Sequence, residues 1–192
     1  MKHVSNIILI LGLFVLGSCT SEENGQDRDN VVTAPDEKEN RVSPAETASA
    51  VIGTNEITIS YGSPRVKGRS IWGSLVPYDE VWRTGANEAT TVSFSSDVLI
   101  DGQLLQADTY SFFTIPGEAS WTIIFNLEEK QWGSFKYDSN QDALRMNVTP
   151  VQLEEVVENM TFTLLTEENG GTIRLEWEKL RVDIPFVNAP QG

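Results

Sequence analysis

Histidine and cysteine are nearly absent from this chain of 192 residues, which has one of each, His3 and Cys19. His3 lies in an N-terminal stretch with the features of an export signal, so the mature protein is expected to carry no imidazole. That excludes Ser-His-Asp and Cys-His nucleophile systems, and zinc sites built from His and Cys. A lone cysteine also excludes an intramolecular disulfide, despite the expected export. Positive charge is scarce as well. Lys and Arg number 14 against 28 Asp and Glu, a net charge of −14, and losing Lys2 with the signal takes this to −15. Such a polyanion is repelled by nucleic acid phosphates and anionic headgroups, so nucleic acid is not an expected partner. After the N-terminus no apolar run approaches roughly 18 residues, which excludes a membrane-spanning helix there. Helical periodicity is rare too. Enzyme readings are confined to carboxylates, Lys, Arg, Tyr, Ser and Thr.

What the N-terminus does hold is Lys2, an apolar run over residues 7–16, and then Leu16-Gly17-Ser18-Cys19. The run is too short to span a bilayer comfortably. Small residues before a cysteine resemble the lipobox of bacterial lipoproteins. The resemblance implies cleavage before Cys19, lipidation of its thiol, and a membrane partner reached through acyl chains. Residues 20–45 are polar and acidic, with Pro35 and Pro44, and read as a disordered tether. The acids Glu22 and Glu23, just after Cys19, resemble a surface-export signal of some Bacteroidetes lipoproteins; the plainer reading is an acidic linker. The expected organisation is a signal over 1–18, a lipidated tether over 19–47 and one domain over 48–187.

From about Ala48 the pattern alternates with period two. Strands are expected over 56–61, 91–95, 110–115, 121–125, 144–148, 161–165, 172–177 and 180–184. Val98-Leu99-Ile100, Asp101-Gly102 and Gln103-Leu104-Leu105 read as a hairpin with a type I′ turn. Asn169-Gly170-Gly171 reads as another turn. Leu153, Val156, Val157 and Met160 fall at helical spacing, so one short helix is expected over 153–160. The fold class that follows is all-β, an antiparallel β-sandwich or jelly roll with at most one short helix.

Residues 63–90 differ from the strands around them. They hold Trp72, Tyr78 and Trp82, and they gather Arg65, Lys67, Arg69 and Arg83 into a cationic spot with Asn87 and Glu88 nearby. Ser63-Pro64, Lys67-Gly68-Arg69, Ile71-Trp72-Gly73, Leu75-Val76-Pro77-Tyr78 and Val81-Trp82-Arg83-Thr84-Gly85-Ala86-Asn87-Glu88-Ala89-Thr90 resemble the core of the DUF2911 family. The likeness continues through residues 107–117, 121–126 and Gln131-Trp132-Gly133-Ser134-Phe135, and covers roughly 50–186. That family comprises exported proteins found mainly in Bacteroidetes. It brings no established catalytic residues to transfer. Asp108 departs from the pattern, standing where the resemblance implies a turn glycine, and Asp accommodates turns.

Each candidate has a plain reading beside the functional one. Arg83 and Glu88 are read first as an ion pair that fixes a long loop. The functional reading has Arg83 bind an anionic or hydroxylated ligand while Asn87 and Glu88 complete the polar contacts. Trp72 and Trp82, with Tyr78, Trp132 and Tyr137, could offer a sugar-stacking face, whereas Trp121 and Trp177 read as core. Glu88 is the weak catalytic candidate, with Asp79 and Glu80 as its carboxylate neighbours in sequence. Asp138, Asn140 and Asp142 alternate as calcium ligands do, but lack the glycine and closing glutamate of an EF-hand loop and read as solvated. No metal and no cofactor are expected.

The reading is an envelope lipoprotein held at the outer membrane by Cys19. It is a binding or accessory module for a glycan or small polar ligand, with Trp72, Trp82, Arg83, Asn87 and Glu88 as binding residues. A hydrolase using Glu88 with Arg83, and a purely structural envelope protein, are the alternatives. If binding is right, Arg83 and Asn87 line an open pocket with an exposed aromatic beside them.

Overall fold

The computed structural model describes residues 41–190. The expected signal, Cys19 and most of the expected tether lie outside the described residues. Among the described residues ten strands follow one another: β1 (Ala45–Ile52), β2 (Asn55–Gly62), β3 (Thr90–Phe94), β4 (Val98–Ile100), β5 (Gln103–Leu105), β6 (Thr109–Ile115), β7 (Trp121–Asn126), β8 (Asp142–Val148), β9 (Val151–Glu167) and β10 (Gly170–Asn188). They form two antiparallel sheets, ordered β1-β2-β3-β6-β7-β8 and β5-β4-β10-β9. The all-β sandwich expectation holds.

Alternation explains the arrangement. In β2, Ile57, Ile59 and Tyr61 are buried while Glu56 and Ser60 face out. The inner faces of the two sheets meet through aromatic edges, Phe94 with Phe186 and Tyr61 and Phe112 with Phe162. The β6 and β7 sequences are apolar on both faces because their outer side is covered too. Phe113 and Ile124 pack there with Ala89, Val81 and Tyr137 from the long loops. Asp101 (φ 50°) and Gly102 (φ 73°) turn the expected hairpin with two left-handed residues, the requirement of a type I′ turn.

Several expectations are corrected. β1 begins at Ala45, inside the stretch expected as tether, and pairs along its whole length with β2. The helix expected over 153–160 is strand β9, because its backbone pairs with β10 on one side and with the loop on the other. The expected strands 172–177 and 180–184 are one strand, β10, with register shifts on either side of Glu178 (φ 55°). The β9–β10 turn is Glu168-Asn169, one residue earlier than expected. Gly170 and Gly171 serve close packing instead: a Cβ on them would sit 2.2 Å from Phe186 O and 2.4 Å from Leu165 O.

Candidate functional site

Residues 63–89 contain no strand of their own, yet their backbone is bonded to two strands and to a second loop. At the start, Val66 N donates to Glu158 O (2.9 Å) and Met160 N donates to Pro64 O (2.9 Å), which fastens the loop to the free edge of β9. Further on, Trp82 N donates to Thr114 O (2.8 Å) and Thr114 N returns a bond to Trp82 O (2.9 Å), extending the sheet beside β6 where β3 has ended. At the end, Ala89 N donates to Gln131 O (2.9 Å) and Gly133 N to Asn87 O (3.1 Å). A loop tied this way holds its side chains in fixed places.

Two residues show how tightly residues 82–90 are drawn in. Thr84 is fully buried with φ 52°, a costly conformation for a β-branched residue. Its Oγ1 lies 3.0 Å from Thr114 Oγ1, and its carbonyl accepts from Thr90 Oγ1 at 2.8 Å. At Gly62 a Cβ would lie 2.2 Å from Ala86 O, so only glycine lets β2 and the loop approach this closely.

Below the loop four indoles meet. Trp72 packs edge-on against Trp82, Trp121 and Trp177 at 5.9, 4.9 and 5.7 Å, and Trp82 stacks on Trp177 at 5.8 Å and 21°. Trp121 and Trp177 are core, as expected. Trp72 is spent on this cluster and does not line the cavity described next.

That cavity, about 460 Å³, is lined by Arg65, Lys67, Arg69, Arg83, Asn87 and Trp82, among others, and among the described residues no carboxylate lines it. Trp177 reaches its wall but is 1% exposed, so the aromatic contact surface belongs to Trp82. Arg69 is fixed by its guanidinium, which donates to Val66 O (3.1 Å) and to Arg65 O. Arg83 is half-buried, its Nε has no hydrogen-bond partner, and burial pushes its pKa down from the usual value. It remains a cation at neutral pH. None of the four cations forms an ion pair among the described residues. Asn87 holds the left-handed φ of 66° that asparagine tolerates, and its Nδ2 donates to Ser43 O at 3.3 Å.

The expected Arg83–Glu88 pair is not formed. Glu88 Oε2 is met instead by Arg41 Nη1 at 2.5 Å. Glu88 lies in a second cavity, separate from the one that holds Arg83 and Asn87. The proximity of Asp79 and Glu80 to Glu88 in sequence does not bring them into its cavity either. Asp138 and Asp142 are otherwise engaged. Asp138 caps a single 3-10 turn, and Asp142 accepts from Asn126 and from Tyr137 Oη at 2.6 Å. Among the described residues no cluster of three or more His, Cys, Asp or Glu could hold a metal ion.

Sequence reasoning missed one aromatic. A Cβ added at Gly133 (φ 66°) would lie 2.8 Å from the Phe135 ring and 3.7 Å from Arg83 Nη1, so both flank the same glycine. Phe135 is 85% exposed. The only signal was its place in Trp132-Gly133-Ser134-Phe135, where the glycine permits the ring to fold back. Arg41 was also missed, because it lies 47 residues before its partner with no local pattern to reveal the pairing.

Neither the curated proteins nor the solved structures give a match to this chain. Residues 43–186, which carry the sandwich, the long loop and the cationic cavity, match the family model described as Protein of unknown function (DUF2911), and the chain belongs to that family.

Proposed function

We propose that the domain is a non-catalytic binding module for a small polar ligand bearing an anionic group, an acidic glycan being the best fit. The observation that carries this is the cavity lined by Arg65, Lys67, Arg69 and Arg83 with no carboxylate among the described lining residues, in a chain of net charge −14. Four like charges brought together with no ion pair among the described residues are a cost that an anionic ligand would relieve. Trp82 on the wall and Phe135 beside Arg83 supply apolar faces for the CH-rich side of a sugar ring. Titration of the protein with an oligogalacturonide tests this. Arg83→Gln should weaken binding about tenfold or more at unchanged melting temperature. Undiminished affinity in a folded Arg83→Gln protein would sink the reading.

The same proposal places the domain at the outer membrane, held by acyl chains on Cys19. It rests on Leu16-Gly17-Ser18-Cys19 and the acidic stretch that follows. In cells fed an alkynyl fatty acid, the protein should take up the label and fractionate with membranes, and Cys19→Ala should do neither. Labelling that persists in Cys19→Ala would refute the anchor.

A further inference from the structure

We infer that the cationic cavity holds two separate anion subsites and takes an oligosaccharide with acidic groups on successive units, an inference that rests on the function proposed above. The four cations come from two segments fastened to different sheets. Arg65, Lys67 and Arg69 lie at the start of the loop, bonded to β9 through Val66 N to Glu158 O and Met160 N to Pro64 O, both 2.9 Å. Arg83 follows Trp82, which exchanges two backbone bonds with Thr114 of β6. β9 belongs to the four-stranded sheet and β6 to the six-stranded one, so the cavity draws part of its charge from each.

The first group is folded on itself. Lys67 (φ 48°) and Gly68 (φ 66°) are both left-handed, and Arg69 N donates to Val66 O at 3.0 Å, which closes a turn of type I′. The Arg69 guanidinium donates to the Arg65 and Val66 carbonyls, so its charge stays with this turn. The Glu158 carboxylate accepts from Lys67 N at 3.0 Å and is not among the described residues that line the cavity. Arg65, Lys67 and Arg69 are all exposed.

Arg83 differs in kind. It is half-buried, and it shares Gly133 with Phe135: the point a Cβ would occupy there lies 3.7 Å from Arg83 Nη1 and 2.8 Å from the Phe135 ring. A recessed cation beside an exposed ring suits one sugar unit, the ring against its CH face and the guanidinium on its acid group. The turn offers charge near the surface, which suits the acid group of the next unit through a weaker pairing that salt screens. A lone small anion at Arg83 leaves the charge of the turn unanswered, because each group is held by its own backbone bonds.

Calorimetric titration of the full chain with galacturonic acid and with trigalacturonic acid tests the inference. The trimer should bind at least about tenfold more tightly than the monomer, beyond the factor of about three that a choice among its units supplies. Combining Arg65→Gln with Lys67→Gln should bring the trimer to within about threefold of the monomer, with monomer affinity and melting temperature unchanged. Arg83→Gln should weaken both ligands. Equal affinity of monomer and trimer in the wild type, or a trimer gain that persists in the double variant, would overturn the second subsite while the proposed function stands. Failure of both ligands to bind would overturn the proposed function, and this inference with it.

Discussion

Arg83 shows how a residue becomes available for binding without being loose. Its neighbours are Gly133, Phe135 and other cations, and the chain on either side is hydrogen-bonded to Thr114 and Thr90. The adjacent Thr84 holds a left-handed conformation in the interior, the kind of local strain that persists only where surrounding contacts impose it. Gly62 is the matching requirement on β2. Gly62→Ala would drive a Cβ into Ala86 O, so the variant should lose about 1–3 kcal/mol of stability, seen as a lower melting temperature. A Gly62→Ala protein that melts like the wild type would show that the loop does not need this close approach. Residue identity made Trp82, Arg83 and Asn87 legible as a set, since cations and aromatics were concentrated there in an acidic chain. It could not show that Glu88 turns away from Asn87, because that depends on local backbone direction, nor that Arg41 is its partner.

At the scale of elements, short alternating strands were the most readable part, because burial on one face imposes period two. β9 and β10 were less so. Leu153, Val156, Val157 and Met160 satisfy helical spacing, but the pairing that decides their conformation comes from residues far away in sequence. β10 also bends. Arg174 and Asp183 lie nine residues apart, roughly 30 Å along an extended strand, yet they form a two-point ion pair at 2.8 and 3.1 Å. The left-handed Glu178 between them provides the turn. β1 was missed because Ala45-Glu46-Thr47-Ala48-Ser49-Ala50 carries few large apolar residues and sits at a sheet edge.

For the whole molecule, titration behaviour follows from its tyrosines. Tyr61, Tyr110 and Tyr137 all have pKa values raised chiefly by burial, with the Asp142 hydrogen bond adding to the effect at Tyr137. The folded state therefore keeps phenolic protons that the unfolded chain releases near pH 10. Their stabilising effect is complete below about pH 10 and is lost as pH rises beyond it. Denaturation followed at pH 8 and pH 11 should show a marked fall in stability, and Tyr137→Phe should reduce that fall. A Tyr137→Phe protein with the full alkaline loss would show that this phenol does not contribute.

Charge is unevenly distributed over the molecule: an acidic domain keeps a cavity lined by four cations, which we propose takes an anionic ligand. The most direct test compares, in the wild-type protein, an oligogalacturonide with its fully methyl-esterified counterpart, alike in sugar backbone but not in charge. The account predicts that the acidic form binds, that rising salt weakens it, and that the ester binds at least about tenfold less well. Equal affinity for the two, or binding that salt leaves unchanged, would contradict it.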